Sequence, residues 1–496
     1  MRKFFFLGLF SLLLLTSCGS KEQAAGSSDN AENTIYIIST NDMHASIDAF
    51  PELATLINEY ERRGEVVVVD SGDRVTGNAY VDDAEPTGMP IIELMNRVGY
   101  DVVTLGNHEF DKGLDALKTM VAGSKFKWVC ANVTTTEGKQ LFDEYATLDI
   151  DGVKLGFAGI VDTDSDGYPL GNKSVYQGLK FESDIDCARR ITQKIATNHD
   201  FVVLLSHMGL TMDSRLAERS NKCDWIAGGH SHDRICERRG TMHISQNNKD
   251  LRFVTVAKLA INDGEITAVE YEQIDMSKIE EDSATRKLVD SIKLADPKLN
   301  EVIARANKAA TRDGVANLSV ESLMEYPYEG GFKPEVCFYH YGGVRLSSLA
   351  EGDVRRVEIL NNDPFLSTIY IGAMTGAEIR KFILDKYNSG TVEKPDKESH
   401  YPYFRSNIPY QLILGTEPAE APDAKDIRWE LDDERSYRVA MCNYIAESYI
   451  DKTLVANKLH DTKVLVREAM LRHITQFGDR GYTPNNNILQ TEIKGE

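Results

Sequence analysis

Apolar runs at residues 35–38, 66–69, 102–105, 155–160 and 201–205 are rich in β-branched side chains and do not alternate with polar positions. Runs of that kind belong to strands covered on both faces. Between them, apolar residues recur at helical spacing, so residues 34–275 read as strands alternating with helices, an α/β pattern. Residues 276–310 are charged and Ala-rich, with Leu288, Ile292 and Leu294 at helical intervals. That spacing predicts a helical linker, interrupted near Pro297. A second α/β region follows over 311–496, with strands expected at 335–340, 368–373 and 436–441 and turns at Gly342-Gly343 and Asn361-Asn362-Asp363-Pro364. A chain of 496 residues exceeds what one hydrophobic core serves, which agrees with two domains.

Five polar segments each come just after an apolar run. They are Asp42-Met43-His44, Gly72-Asp73, Gly106-Asn107-His108-Glu109, Ser206-His207 and, after Trp225-Ile226-Ala227, Gly229-His230-Ser231-His232. In open α/β sheets ligands gather beyond the carboxyl ends of the strands, where such segments would lie. Carboxylate, imidazole and amide oxygen are the groups that hold zinc, manganese or iron, and an Asp shared by two ions is a common way to build a dinuclear site. One such histidine alone would read as a hydrogen-bonded core residue; five segments in this order predict a dinuclear metal hydrolase.

Charge narrows the partners. A formal net charge of -21 and the lack of a long Lys/Arg run argue against binding to a nucleic-acid polymer. A phosphate substrate stays open, because bound divalent cations would dominate the field at the site. The N-terminus reads as a targeting segment: Arg2-Lys3, then an apolar stretch over 4–15 too short to span a bilayer, then Leu15-Thr16-Ser17-Cys18. That ending resembles the bacterial lipobox, which implies cleavage before Cys18, lipid on its thiol, and an extracytoplasmic protein anchored to a bacterial membrane at its periplasmic face or the cell surface. Residues 19–33, polar and rich in Gly, Ser and Ala, read as a flexible tether. Cys130, Cys187, Cys223, Cys236, Cys337 and Cys442 show no paired spacing and read as buried free thiols, although Cys223 and Cys236 flank the His230 segment and metal ligation by them has to be weighed.

The five segments together resemble the calcineurin-like metallophosphoesterases, and residues 34–490 resemble the 5'-nucleotidases and UDP-sugar hydrolases. The resemblance implies a four-layered sandwich of sheets and helices carrying the metals and a second α/β domain that binds substrate. By motif, Asp42, His44, Asp73 and His232 would hold one divalent ion and Asp73, Asn107, His207 and His230 the other. It further implies that His108, in Asn107-His108-Glu109-Phe110-Asp111, stabilises the transition state or protonates the leaving oxygen, with Asp111 orienting its ring. In the second domain, His340-Tyr341-Gly342-Gly343-Val344-Arg345 is similar to a family loop that brings an Arg to the substrate phosphate, and Arg312 falls where a second such Arg stands. Phe365 and Tyr444 match two aromatics that sandwich the base.

Two features depart from the family's pattern. His340 replaces an Asn, and Ser448-Tyr449-Ile450 stands where a Gly-Gly-Asp turn follows the second aromatic. The resemblance implies hydrolysis of nucleoside 5'-monophosphates at a dinuclear site. The departures keep open the same chemistry on nucleotide sugars, 2',3'-cyclic nucleotides or other phosphoesters, and a surface lipoprotein that only binds is the reading of another class.

Overall fold

The computed structural model describes residues 33–218, 222–390, 403–415 and 423–494. Cys18, the leader and the tether up to residue 32 lie outside them. The expected strands form, with small shifts of their ends: β1 (Asn33–Thr40), β2 (Glu65–Asp70), β3 (Val102–Val103), β4 (Val153–Val161), β5 (Phe201–His207) and β6 (Trp225–Gly228). They divide between two six-stranded sheets. One has the order Glu265–Asp275, Phe253–Asn262, β1, β2, β3, Lys127–Trp128; the other runs Arg234–Arg239, Met242–Asn247, β6, β5, β4, Tyr145–Ile150.

Alternation within the apolar runs explains the layering. Ile35, Ile37, Val67 and Val69 face the second sheet and meet Leu155, Phe157, Val203 and Leu205 there. Their neighbours Ile38 and Val68 face outward, onto helices Phe50–Glu61 and Met89–Val98. On the far side Val202 and Leu204 meet helices Asp184–Ile195 and Leu210–Glu218 through Ile191 and Leu216. Helix, sheet, sheet and helix make four layers, as the resemblance implied, and strands apolar on both faces are what such layering needs.

The linker corrects the sequence reading. Asp282 caps a helix over Ser283–Ala295 by accepting from Thr285 N–H at 2.7 Å, and this helix packs on the first domain through Val289. It stops just before Pro297, and by Val302–Ala306 the chain is already a strand paired with Gly352–Arg355. The Ala-rich composition of 303–310 suggested helix, but strand pairing overrides that weak preference.

The second domain centres on a five-stranded sheet in the order Phe404–Ser406, β7 (Val336–His340), β8 (Ser436–Cys442), Thr368–Thr375, Leu459–Leu465. Only β7 and β8 run parallel in it, with Phe338 opposite Met441, so His340 and the residues after Cys442 emerge side by side. The six predicted free thiols are free: five are buried, and Cys236 is half-buried. Cys223 Sγ packs 3.1 Å from Trp225 O, inside the helix–sheet layer, and Cys236 Sγ lies 3.4 Å from His243 Nε2, so neither faces the histidine segments as a ligand. No helix among the described residues is long and apolar enough to cross a membrane.

Gly159 in β4 marks a close approach: a Cβ there would run into the Val129 carbonyl and Thr104 Oγ1. We expect Gly159→Ala to destabilise the first domain by about 1–3 kcal/mol through overpacking, read as a lower midpoint in urea unfolding followed by tryptophan fluorescence. An unchanged midpoint would show that the sheets can separate without cost.

Candidate metal centre and substrate cleft

Strand register brings the five segments to one edge. Thr40 lies opposite Asp70 across β1 and β2, Val161 opposite His207 across β4 and β5, and Ser206 opposite Gly228 across β5 and β6. The loops leaving those ends turn so tightly that Asp42, His44, Asp73, His230 and His232 all take positive φ, from 46° to 78°. Left-handed backbone costs a non-glycine residue on the order of 1 kcal/mol and gathers at functional sites. Here it falls on five of the seven expected ligands.

Buried side chains hold these loops through their backbone. The Glu109 carboxylate accepts N–H bonds from Gly106 at 2.6 Å and from Asp73 and Arg74 at 2.9 Å. Arg74, fully buried, pairs with Asp70 at 2.8 Å and with Glu109 at 3.7 Å. Asp82 accepts from the N–H groups of Thr76, Gly77 and Asn78. Asn41 links Asp42 Oδ2, at 2.6 Å, to the Asn247-Asn248 segment.

Thr76 then sets two functional rings: its carbonyl accepts from His44 Nδ1 at 3.0 Å, and its hydroxyl donates to Asp111 Oδ2, which itself lies 2.7 Å from His108 Nδ1. His207 Nδ1 likewise donates to Ser71 O at 2.6 Å. With Nδ1 committed to these carbonyl partners, Nε2 of His44 and of His207 is the ring atom left to take a proton or a cation.

Both Nε2 atoms face the rest of the cluster. His44 Nε2 faces His232 Nε2 at 3.0 Å, and His232 Nε2 is 3.4 Å from Asp42 Oδ1. His207 Nε2 lies 3.0 Å from Asp73 Oδ2 and 3.9 Å from Asp42 Oδ1, yet makes no hydrogen bond. His230 Nδ1 is 3.1 Å from Asn107 Oδ1, and its ring is 5.2 Å from that of His207. Ligand atoms of Asp42, His44 and His232 fall within 4.8 Å of one another, as do those of Asp42, Asp73 and His207 and of His44, Asp73 and His108. All seven expected ligands are thus brought together, and the donor set of nitrogens and carboxylates fits divalent cations. Two buried carboxylates, Asp42 and Asp73, brought together in this way are unfavourable without positive charge among them.

The electrostatics agree. Burial alone would raise the Asp73 carboxyl, but His207 and then His108 outweigh it and hold it well below the ordinary carboxylate range. Burial opposes charge on His207, but Asp73 and Asp42 in turn hold it well above its ordinary value, so that without a cation a proton on its ring supplies the positive charge. Asp42 is likewise lowered against its burial, by His232 and His207. Burial, then Arg345 and His232, press His44 well below its ordinary value, which keeps it a neutral ligand. His108 goes the other way: burial opposes its charge, but Asp73 and Asp111 push it up to about 9.

The second domain closes over this edge. Phe365 packs 5.6 Å from the His108 ring, and the Arg345 guanidinium sits 5.2 Å over Phe365. Arg345 Nη2 is buried and makes no hydrogen bond, an orphaned donor of the kind an anionic substrate would satisfy. Arg312 stands further back. It donates to Val344 O at 3.3 Å and to Tyr341 O at 3.2 Å and stacks on the Tyr341 ring at 4.3 Å, so in this arrangement it supports the turn that presents Arg345. His340 packs 4.5 Å from Tyr444, and burial, then Arg345 and Lys386, lower its pKa to about 3. The domains are joined by the Arg467–Asp83 ion pair at 2.8 Å and by Ala79 N–H donating to Asn361 Oδ1 at 2.7 Å.

Sequence reasoning missed Lys249. It sits on the loop after Met242–Asn247, with Asp250 N–H donating to Asp42 O at 2.9 Å, and burial followed by Arg345 lowers its pKa to about 8. The signal that found the other segments, a polar run directly after an apolar strand, was present here as well. Thr76 and Asp82 gave no such signal, because they act on backbone groups.

Residues 35–234 match the calcineurin-like phosphoesterase family, and residues 293–451 match the 5'-nucleotidase C-terminal domain. Among relatives, the chain is 24% identical to the trifunctional nucleotide phosphoesterase protein YfkN of Bacillus subtilis over 83% of its own length and 32% of that protein's. It is also 24% identical to a 5'-nucleotidase of Vibrio vulnificus, over 75% of this chain and 79% of the relative. The crystal structure of a 5'-nucleotidase precursor from Thermus thermophilus shares the fold with a TM-score of 0.76 at 20% identity, covering 93% of this chain and 99% of that one.

Glu109 touches no expected ligand atom, so its contribution can be isolated. Glu109→Gln turns an amide NH2 toward backbone N–H donors, and we expect roughly 10- to 100-fold weaker divalent-metal binding, measured by metal content after graded dialysis. Wild-type retention of metal would remove Glu109 from the support of the centre.

Proposed function

Because the chain belongs to the 5'-nucleotidase family, joining a calcineurin-like phosphoesterase domain to a 5'-nucleotidase C-terminal domain, and is a phosphoric ester hydrolase, we propose that it hydrolyses nucleoside 5'-monophosphates to nucleoside and phosphate. The observation that carries this reading is the cluster of buried carboxylate and imidazole ligand atoms at the strand ends, opposed across one cleft by Arg345 and Phe365. Asp42, His44, Asp73 and His232 would hold one divalent cation, and Asp73, Asn107, His207 and His230 the other. Bound there, the pair supplies a nucleophilic water of lowered pKa and positive charge against the phosphoryl oxygens; zinc, manganese and iron all suit such ligands.

The chain's own groups do the rest. Arg345 orients the phosphoryl group through its orphaned donor. His108 lies across the cleft from Phe365, with Nε2 3.9 Å from Asp73 Oδ2 and Nδ1 held by Asp111. A protonated ring fixed in that way can deliver its Nε2 proton to the departing 5'-oxygen. Phe365 and Tyr444 hold the base, a contact that selects a class of substrate more than a single base. The leader and lipobox-like Leu15-Thr16-Ser17-Cys18 support an extracytoplasmic enzyme tethered by lipid at Cys18.

The test is phosphate release from AMP, UMP, a UDP-sugar, a 2',3'-cyclic nucleotide and an aryl phosphate, with and without chelator. Chelator-sensitive turnover favouring AMP or UMP is expected; activity on the aryl ester alone would overturn the nucleotide reading, and inactivity after metal reconstitution would favour a binding protein. A general-acid role predicts that His108→Asn lowers kcat on AMP by about 10²–10⁴-fold and much less on p-nitrophenyl phosphate, whose leaving group needs no proton. Equal losses on both esters would assign His108 to charge stabilisation instead.

A further inference from the structure

The two departures from the family's pattern meet at one aromatic ring. Tyr444 opens the helix Asn443–Tyr449 directly after β8, beside His340 at the end of β7. His340 packs against its ring at 4.5 Å and a tilt of 43°, and Tyr449 meets it edge-on at 5.4 Å. The hydroxyls form a chain: Tyr449 OH donates to Tyr444 OH at 2.9 Å, and Tyr403 OH lies 3.1 Å from Tyr449 OH. Since the Tyr449 proton is directed at Tyr444, the bond between Tyr403 and Tyr449 needs the Tyr403 proton. Each link then has one donor, and the one hydroxyl proton left over is that of Tyr444.

The Lys386 ammonium stands 4.3 Å from the Tyr403 ring centroid and 4.6 Å from that of Tyr449. Positive charge behind the first two rings and successive hydroxyl bonds polarise in the same direction, making the last O–H a stronger donor.

We infer that Tyr449, a positioning residue, and Tyr403 turn Tyr444 from a stacking plate into a directed hydrogen-bond donor, which addresses an acceptor on the substrate's base, a carbonyl oxygen or an unprotonated ring nitrogen. The inference rests on the nucleotide reading above. His340 supplies a geometric constraint: packed against the Tyr444 ring at 4.5 Å, it limits the positions a base can take around that ring. A base that comes to Tyr444 edge-on, near the plane of the ring, meets the hydroxyl with an acceptor. Stacking alone tolerates any base, so the edge contact is where selectivity arises.

The metal-loaded enzyme is assayed on UMP, AMP and ribose 5-phosphate, which keeps the sugar phosphate and lacks the base. Tyr449→Phe is expected to raise KM for at least one of the nucleotides about three- to tenfold with kcat within about twofold, lowering the ratio of its kcat/KM to that for ribose 5-phosphate. Tyr444→Phe, which keeps the stacking ring, lowers the same ratio further. In the Tyr444→Phe background the additional Tyr449→Phe change has no effect on the ratio, because the hydroxyl it acts through is gone. A Tyr449→Phe penalty that persists in that background, an equal loss on ribose 5-phosphate, or unchanged ratios in both single variants would each overturn the relay. Wild-type enzyme with no preference for UMP or AMP over ribose 5-phosphate would overturn the nucleotide reading and the relay with it, whereas a wild-type preference with ratios untouched by either substitution overturns the relay alone.

Discussion

Two buried carboxylates that need positive charge between them set the terms for the catalytic domain. Asp42, His44, Asp73, Asn107, His207, His230 and His232 converge, and His207 Nε2 is buried beside the Asp42 and Asp73 carboxylates without a hydrogen bond. Such a nest is costly to bury without charge compensation and favourable around cations. Much of the surrounding architecture keeps it in place. Two sheets end their strands at one edge, five of the candidate ligand residues adopt left-handed backbone, and the buried carboxylates of Glu109 and Asp82 each gather three N–H groups to hold the loops there.

The second domain supplies what the nest lacks, a directed cation and aromatic surface. In a chain of net charge -21, Arg345 reaches the cleft with a donor unpaired, and Lys249 comes toward it from the first domain. Burial lowers the pKa of Arg345, and Asp250 together with the expected ligands Asp73 and Asp42 favours its charged form. The loop carrying Arg345 is braced by Arg312, whose guanidinium bonds two of its carbonyls while stacking on Tyr341, itself flanked by Arg405 on another approach at 4.3 Å. Substrate phosphate and metals would therefore meet between two separately supported surfaces, which lets orientation be set before chemistry.

The clustering of the candidate ligands was legible in the sequence because their position is dictated by strand geometry: a polar residue just past a doubly buried strand has one place to go. Fold class was legible for the same reason, since Ile35 to Ile38 and Phe201 to Leu205 can be covered only by helices on one side and a sheet on the other. The linker was not. Its Ala-rich half, past Pro297, pairs as a strand with Gly352–Arg355, and a partner about fifty residues away leaves no local trace. The supports were hidden for a different reason: Thr76, Asp82 and Asn41 work on backbone groups, which any polar residue in the right place can do. Arg312 illustrates the limit of motif matching, because the carbonyls it bonds could be seen only in three dimensions.

The most direct test of the account is metal stoichiometry in Asp73→Asn, set beside wild-type protein loaded under the same conditions. Asp73 lies 3.0 Å from His207 and shares candidate ligand groups with both His44 and Asp42. If it serves both cations, the wild-type chain binds two equivalents, while the variant loses affinity at both positions and nearly all turnover, with its fold retained. Two equivalents bound at wild-type affinity by Asp73→Asn, with turnover intact, would contradict the shared-ligand centre on which the account depends.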